Sequence, residues 1–117
     1  KQDVEFTDYI QPVCLPSAIL NEEKEIYGMN LTVAGWGTMQ NLPRARYAHT
    51  LQEVVDVVVR PTELCDFRLG LHFDWESQIC AGTGEPDLSP CPGDSGGPAM
   101  YYNTTGDSGR YVLMGIV

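Results

Sequence analysis

The sequence has no long apolar run and few basic side chains. Its longest apolar stretch, near residues 54–59, is interrupted by Asp56 and is far shorter than a membrane-spanning helix requires. Lys and Arg number 7 against 16 Asp and Glu, which gives a formal net charge of -9. A field of this sign repels phosphate backbones and anionic lipids, so neither nucleic acid nor a membrane surface is expected as a partner.

The chain also lacks the residue spacings of metal and dithiol sites. It has four cysteines: Cys14, Cys65, Cys80 and Cys91. No two of them form a C-x-x-C pair, which argues against zinc and against a thioredoxin-like motif. The two histidines, His49 and His72, are isolated and have no ligand spacing. We therefore predict neither a metal site nor a cofactor.

Two N-glycosylation acceptors are present, at Asn30-Leu31-Thr32 and at Asn103-Thr104-Thr105. Acceptors of this kind beside spaced cysteines are typical of proteins made in an oxidising, secretory compartment. The sequence therefore predicts a secreted, extracellular glycoprotein.

Short β-type runs separated by turns predict an all-β fold, an antiparallel barrel or sandwich. The predicted strands are 31–36, 51–59 and 77–81, followed by a hairpin of 99–102 and 110–117. Pro61 ends the second strand, and Thr62 is expected to cap a short helix over 62–69 that stops at Gly70. Residues 83–97 are rich in Gly, Pro, Asp and Ser and are expected to form a loop.

The segment that points to chemistry is Cys91–Pro98, with the sequence Cys-Pro-Gly-Asp-Ser-Gly-Gly-Pro. A serine hydroxyl is a weak nucleophile until a base takes its proton, and attack on a carbonyl needs donors for the new oxyanion. Glycines beside Ser95 let the backbone turn sharply and bring its N–H groups close to a substrate. A run of this length is too specific for an ordinary Gly/Ser/Pro turn.

This segment resembles the nucleophile motif of the trypsin/chymotrypsin-like serine proteases. Further segments resemble that family in the same order along the chain. They are Ile10–Pro16, Val33–Thr38, Leu51–Val54 and Ile79–Gly82. Many relatives have cysteines where Leu31 and Tyr101 stand, and here both are absent together, as expected of a disulfide lost as a pair.

The resemblance implies an antiparallel Greek-key barrel of the trypsin-like type. Residues 1–28 correspond to the interdomain connection and lead-in, and residues 29–117 to a partial second barrel. The part of the family's fold that would follow Val117, its last strands and final helix, is missing. The first residue is Lys1 and the chain stops in an apolar run, so we expect a fragment that is poorly stable and inactive when isolated.

The resemblance also implies roles for the loop residues. Ser95 is expected to be the nucleophile, and the N–H groups of Gly93 and Ser95 to form the oxyanion hole. Asp94 is expected to pair with the new terminal amine that zymogen cleavage creates. A disulfide is implied between Cys65 and Cys80.

Two further cysteines have implied partners outside the chain. Cys91 matches a half-cystine whose partner follows Val117, and Cys14 one that tethers an upstream segment. The family's histidine and aspartate precede Lys1 in this alignment. His49 lies at a surface-loop position and is not expected to be catalytic.

The specificity pocket has two possible alignments. With no insertion, Ser89 takes the pocket-floor position beside Pro90, which favours apolar or aromatic substrate residues. With a slip of two residues, Asp87 would take that place and select Lys or Arg.

Three functions are compatible with these features. The first is a serine endopeptidase that acts on protein or peptide substrates, is made as a zymogen and is open to protease inhibitors. The second is a non-catalytic protease homologue that serves as a binding or regulatory module. The third, a lectin-like or immunoglobulin-like β domain, leaves the serine-containing segment Cys91–Pro98 unexplained.

Overall fold

The computed structural model describes residues 3–16, 23–39, 46–70, 72–85, 89–105 and 108–117. Within them the chain is mostly β, which confirms the predicted fold class. The elements are a 3₁₀ turn at Glu23–Ile26, strands β1 (Asn30–Gly35), β2 (Gln52–Val59), β3 (Ala81–Gly82), β4 (Pro98–Asn103) and β5 (Arg110–Ile116), and helix α1 (Thr62–Leu69).

The five described strands form one antiparallel sheet in the order β3-β2-β1-β4-β5. β1 lies at its centre and pairs with β2 on one side and with β4 on the other. Leu31 stands opposite Tyr101 on β4, so the two positions for which the resemblance implies a lost cysteine pair are cross-strand neighbours.

The core lies on one face of the two central strands. Leu31 is 2% exposed, and Val33, Val57 and Val59 are also buried; Ile26 of the 3₁₀ turn packs with them. Because side chains alternate between the faces of a strand, Leu31 and Val33 of β1 share a face, as do Val57 and Val59 of β2.

The register between β1 and β2 shifts within the sheet. Leu31 pairs with Val57, but Val33 pairs with Val54, so β2 has an extra residue at this point. Asp56 lies in this bulge with a backbone φ of +57°, a value that residues other than glycine seldom adopt. Because of the extra residue, the side chains of Val57 and Val59 face the core on the same side of the sheet as Val54.

Helix α1 follows β2 directly and ends at Gly70, which has φ +63° and donates its N–H to the Asp66 carbonyl oxygen. The prediction that Thr62 caps the helix is wrong. Pro61 is the N-cap residue, and Thr62 is the first helical residue and is buried. Cys65 of the helix is joined to Cys80 by a disulfide, with the Cα atoms 6.0 Å apart.

The strand predicted at 77–81 is reduced to Ala81–Gly82. Asp74 explains the difference, because its carbonyl oxygen accepts hydrogen bonds from the N–H groups of Ser77 and Gln78, at 3.1 and 2.8 Å. Its carboxylate also accepts from the Glu76 N–H at 3.1 Å. These local bonds close a turn and take away the donors that a strand would use.

The segment before the 3₁₀ turn contacts the sheet at Cys14. Its N–H donates to the Tyr111 carbonyl oxygen at 3.1 Å, and its carbonyl oxygen accepts from the Leu113 N–H at 2.8 Å, which makes a parallel bridge with Val112. The assignment of residues 1–28 as a connection between barrels stays a prediction. No helix among the described residues is long and apolar enough to cross a membrane.

Candidate functional site

The segment that contains Ser95, residues 91–97, is called the serine loop; it leads into β4 and is built from two tight turns. The Asp94 N–H donates to the Cys91 carbonyl oxygen at 3.0 Å, and the Gly97 N–H donates to the Asp94 carbonyl oxygen at 2.8 Å. Gly93 has φ +103° and Gly96 has φ +87°, so both turns use conformations that favour glycine.

The loop is held to the end of the sheet by residues that follow Ser95. The Gly96 N–H donates to the Val117 carbonyl oxygen at 2.8 Å, and the Val117 N–H donates to Gly97 at 3.0 Å. Ser95 itself is exposed. Since the backbone on its C-terminal side is fixed, the hydroxyl is presented to solvent from a rigid support.

Two backbone donors of the loop are unused. Within the part of the chain that the structure describes, the N–H groups of Gly93 and Ser95 donate to no protein acceptor, whereas those of Asp94, Gly96 and Gly97 all do. These two N–H groups can therefore donate to a ligand. Unpaired amides beside a reachable serine are what an oxyanion site requires.

The Asp94 carboxylate is turned inward, toward the backbone of Gly37 and Cys91. Its Oδ1 accepts the Gly37 N–H at 2.7 Å, and its Oδ2 accepts the Cys91 N–H at 2.9 Å. A Cβ added to Gly35 or Gly37 would overlap this carboxylate. The two glycines around Trp36 thus leave the space that the Asp94 side chain occupies.

Tyr47 packs against the other side of the loop. A Cβ on Gly93 would lie 2.8 Å from Cε1 of the Tyr47 ring and 3.1 Å from the Gly37 Cα. Tyr47 is fixed by its bridge to Thr38 and by the neighbouring bond from the Ala48 N–H to the Gly37 carbonyl oxygen, at 3.1 Å. Gly93 is therefore confined by both its φ and its neighbours.

Two cavities lie near the loop, and both are lined by Pro90, which precedes it. The larger, of about 430 Å³, lies over the core face of the sheet and is lined mainly by apolar residues, among them Trp75, Ile79 and Val117. The smaller, of about 180 Å³, lies beside Asp94 and is also lined by Thr38 and Glu53.

The residues proposed for specificity lie at these cavities. Ser89 is exposed and lines the smaller cavity, and its carbonyl oxygen lies 3.4 Å from the Cys91 Sγ. Pro90 lines both cavities. The alternative residue, Asp87, lies outside the described residues. The pocket-floor role of Ser89 stays a prediction.

Of the remaining predicted residues, Cys91 belongs to the loop, whereas Cys14, Asn30 and Asn103 lie elsewhere in the chain. Cys14 and Cys91 are half-buried and not disulfide-bonded within the chain. Asn30 is exposed at the start of β1, and Asn103, at the end of β4, accepts from the Thr105 N–H and hydroxyl at 2.8 and 2.6 Å. Across the described ranges no cluster of His, Cys, Asp or Glu could hold a metal ion.

Neither histidine completes a catalytic group with Ser95. His49 is exposed. Nδ1 of His72 lies 3.7 Å from Oδ2 of Asp66, and the other oxygen of that carboxylate accepts the Phe73 N–H at 2.7 Å.

Sequence reasoning missed Thr38 and Tyr47 as neighbours of the site. Thr38 stood only at the end of a strand-like motif, and Tyr47 belongs to a segment with no strand pattern. Only the pairing of 37–39 with 46–48 brings them behind the loop.

Comparison with known proteins identifies the family of this chain. The family model described as Trypsin matches residues 1–117. The chain is 35% identical over 118 residues to the Spaetzle-processing enzyme of Drosophila melanogaster. That alignment covers 99% of this chain and 28% of the enzyme. It is 42% identical over 101 residues to phenoloxidase-activating factor 1 of Holotrichia diomphalia, covering 85% of this chain and 26% of that protein.

A third relative is Limulus clotting factor C of Carcinoscorpius rotundicauda, 33% identical over 123 residues, which cover 100% of this chain and 12% of that protein. The chain thus spans less than a third of the length of the relatives it matches. Because the family match covers every residue, this chain belongs to the trypsin family of serine proteases.

Proposed function

We propose that this chain is part of a secreted serine endopeptidase that cleaves protein substrates by acyl transfer through Ser95. The observation that carries the proposal is the loop: Ser95 is exposed, and the N–H groups of Gly93 and Ser95 have no acceptor among the described residues. Acyl transfer needs both a reachable nucleophile and donors for the oxyanion.

In the proposed reaction the Ser95 Oγ attacks the scissile carbonyl carbon, and its proton passes to a histidine that lies outside these residues. The carbonyl oxygen becomes an oxyanion and accepts hydrogen bonds from the N–H groups of Gly93 and Ser95. The C–N bond then breaks, the leaving amine takes the proton from the histidine, and water hydrolyses the acyl-serine. Since no residue in the described ranges supplies a base to Ser95, the chain alone is expected to be inactive.

Asp94 has the proposed role of holding the activated loop. Its two oxygens accept the N–H groups of Gly37 and Cys91, which are neutral donors, so its negative charge has no ionic partner among the described residues. A terminal ammonium released by zymogen cleavage would supply that partner. Pairing would fix the turn between Cys91 and Ser95, and with it the direction of the Gly93 N–H.

The secretory features belong to the same proposal. The disulfide between Cys65 and Cys80 is typical of oxidising compartments. The acceptors Asn30 and Asn103 are proposed to carry glycans, and the Cys14 thiol is proposed to tether an upstream segment. Relatives named for processing, activating and clotting support an enzyme that acts on protein substrates. Control of that enzyme by protease inhibitors is part of the same proposal.

The test is active-site labelling of the full-length protein after activation, with a fluorophosphonate that forms a bond to an activated serine. We expect label at Ser95 in the native enzyme and none in Ser95→Ala. Ser108→Ala, which changes another exposed serine, is the matched control and is expected to label normally. A folded, cleaved protein that takes no label would instead be a non-catalytic homologue that acts as a binding module.

Specificity has a separate test on the same enzyme, a scan of substrates that differ in the residue before the scissile bond. With Ser89 at the pocket floor, apolar or aromatic residues are expected to be preferred. A strong preference for Arg or Lys would contradict that assignment and favour Asp87.

A further inference from the structure

The smaller cavity beside the serine loop contains a buried hydroxyl with no partner. Thr38 is 7% exposed, and its Oγ1 is buried without a hydrogen-bond partner among the described residues. It lines the same cavity of about 180 Å³ as Asp94. Burying a hydroxyl without a partner costs free energy, and buried polar groups in native proteins are nearly always paired. The cavity therefore offers an acceptor that the described part of the fold does not use.

The backbone of Thr38 is fixed, so the hydroxyl remains at the cavity. The Thr38 N–H donates to the Pro92 carbonyl oxygen at 3.0 Å, which attaches this residue directly to the serine loop. On the other side Thr38 bridges to Tyr47, and the next residue, Met39, donates its N–H to the Arg46 carbonyl oxygen at 3.0 Å. These bonds use the Thr38 N–H and hold the backbone on both sides of it, and the hydroxyl stays available for a ligand.

The other groups at the cavity select a cation with an apolar attachment. Its titratable residues in the described ranges are Asp94, Glu53 of β2 and Cys91, and no Lys, Arg or His lines it. On the paired segment 46–48, Arg46 and Tyr47 are both exposed. The remaining lining includes the apolar side chains of Val33, Met39, Val54 and Pro90. The volume is below the roughly 300–1,000 Å³ of sites for drug-sized ligands, so the cavity suits a group about the size of one residue.

We propose that the Thr38 hydroxyl is a second acceptor, beside the Asp94 carboxylate, for the terminal ammonium of the activated protein. This inference rests on the proposed function, because that function supplies the ammonium. One N–H of the ammonium donates to Thr38 Oγ1 and another to Asp94. Thr38 is then a positioning residue: it acts through the ammonium and Asp94 on the serine loop, and it does not touch the substrate.

The two acceptors determine in which direction the order of the serine loop depends on pH. Both stabilise the charged amine, so they raise its pKa in the folded enzyme above its value in the unfolded chain. The ordered loop is then present at low and neutral pH and is lost as pH rises through the raised pKa. Removing one acceptor lowers the pH at which activity is lost. A hydrogen bond to a charged group contributes about tenfold or more to an equilibrium, which equals roughly one pH unit.

The experiment measures kcat/KM against pH, on the alkaline side, for the activated full-length enzyme and three variants. Thr38→Val removes the hydroxyl and keeps the shape of the side chain, whereas Thr38→Ser keeps the hydroxyl and loses the methyl. Asp94→Asn removes the ionic partner. We expect the midpoint of the alkaline limb to fall by about one pH unit in Thr38→Val and to stay at the native value in Thr38→Ser. Asp94→Asn is expected to be almost inactive.

The outcomes distinguish the role of Thr38 from the proposed function on which it rests. An unchanged midpoint in Thr38→Val, with Asp94→Asn inactive, overturns the role of Thr38 and leaves the proposed function standing. Full activity of Asp94→Asn overturns the activation pair itself. A lower midpoint in both Thr38 variants overturns the role of the hydroxyl, because packing would then be the cause. If Thr38→Val does not fold, Thr38→Ala makes the same comparison with a smaller side chain.

Discussion

Replacing Gly93 by alanine tests whether the shape of the serine loop is needed for catalysis. At φ +103° a side chain adds backbone strain of about 1–3 kcal/mol. The new Cβ would also lie 2.8 Å from the Tyr47 ring and 3.1 Å from the Gly37 Cα. The ring can move, but the Gly37 backbone cannot move far, because its N–H is bonded to Asp94. We therefore expect the peptide at residue 93 to shift.

Gly96→Ala is the matched control in the same loop. Gly96 has φ +87°, so alanine there brings comparable strain, but a Cβ at this position meets nothing within 4 Å. The two variants thus share the conformational cost and differ in the clash. Loss of one oxyanion donor lowers kcat by about 10²–10³. We expect a loss of that size in Gly93→Ala and a loss below roughly tenfold in Gly96→Ala, in proportion to its strain.

The assay is steady-state hydrolysis of a peptide ester or amide by the activated full-length enzyme. Burst titration counts the competent sites, so that misfolded protein is not mistaken for slow protein. The fall in Gly93→Ala should lie in kcat with KM little changed, because the donor acts on the oxyanion of the transition state. Equal activity of the two variants would refute the reasoning, since crowding at Gly93 would then have no consequence for the donor.

Three further predictions concern stability of the full-length enzyme in urea. Changing both Cys65 and Cys80 to alanine opens a loop with a sequence separation of 15, and the free energy of unfolding should fall by about 3 kcal/mol; a change below about 0.5 kcal/mol, which is usual for surface substitutions, would contradict it. Leu31→Ala removes the most buried core side chain and should cost about 3–5 kcal/mol. A fall in the free energy of unfolding no larger than that of a typical surface substitution would show that Leu31 is not central to the core. Asp56→Val should cost about 1–3 kcal/mol and Asp56→Asn little, because Asn tolerates φ +57° and a β-branched residue does not; equal losses in the two would remove the argument from φ.

Much of the sheet follows from local pattern. The β-branched run ending at Val59 and the turn before Arg110 gave strand positions close to those of β2 and β5, and Gly70 ends the helix as predicted. These features depend on side-chain alternation and on the freedom of glycine, which are readable from neighbouring residues.

The departures arise where one residue bonds its own backbone neighbours or where distant segments meet. Asp74 closes a turn in a segment that otherwise has the composition of a strand, and Pro61 takes the cap position from Thr62. The bulge at Asp56 depends on pairing with β1, which a single strand does not reveal.

The site was predictable only in part for the same reason. The motif around Ser95 identifies the loop and its expected roles. The inward Asp94 carboxylate, however, depends on two glycines of a different segment, Gly35 and Gly37, whose lack of side chains leaves room for it. Sequence patterns report periodicity and local turns, whereas this contact joins positions 57 residues apart.

The bridge between Cys14 and Val112 has a consequence for synthesis. The two hydrogen bonds that hold it join Cys14 to residues that follow it by almost 100 positions along the chain. At about 5–20 residues per second, Cys14 waits roughly 5–20 seconds before its strand partner emerges from the ribosome. During that interval its thiol is unshielded while Cys65, Cys80 and Cys91 arrive one after another. The order in which the chain is made therefore leaves the Cys14 thiol open to these three cysteines before its strand partner can cover it.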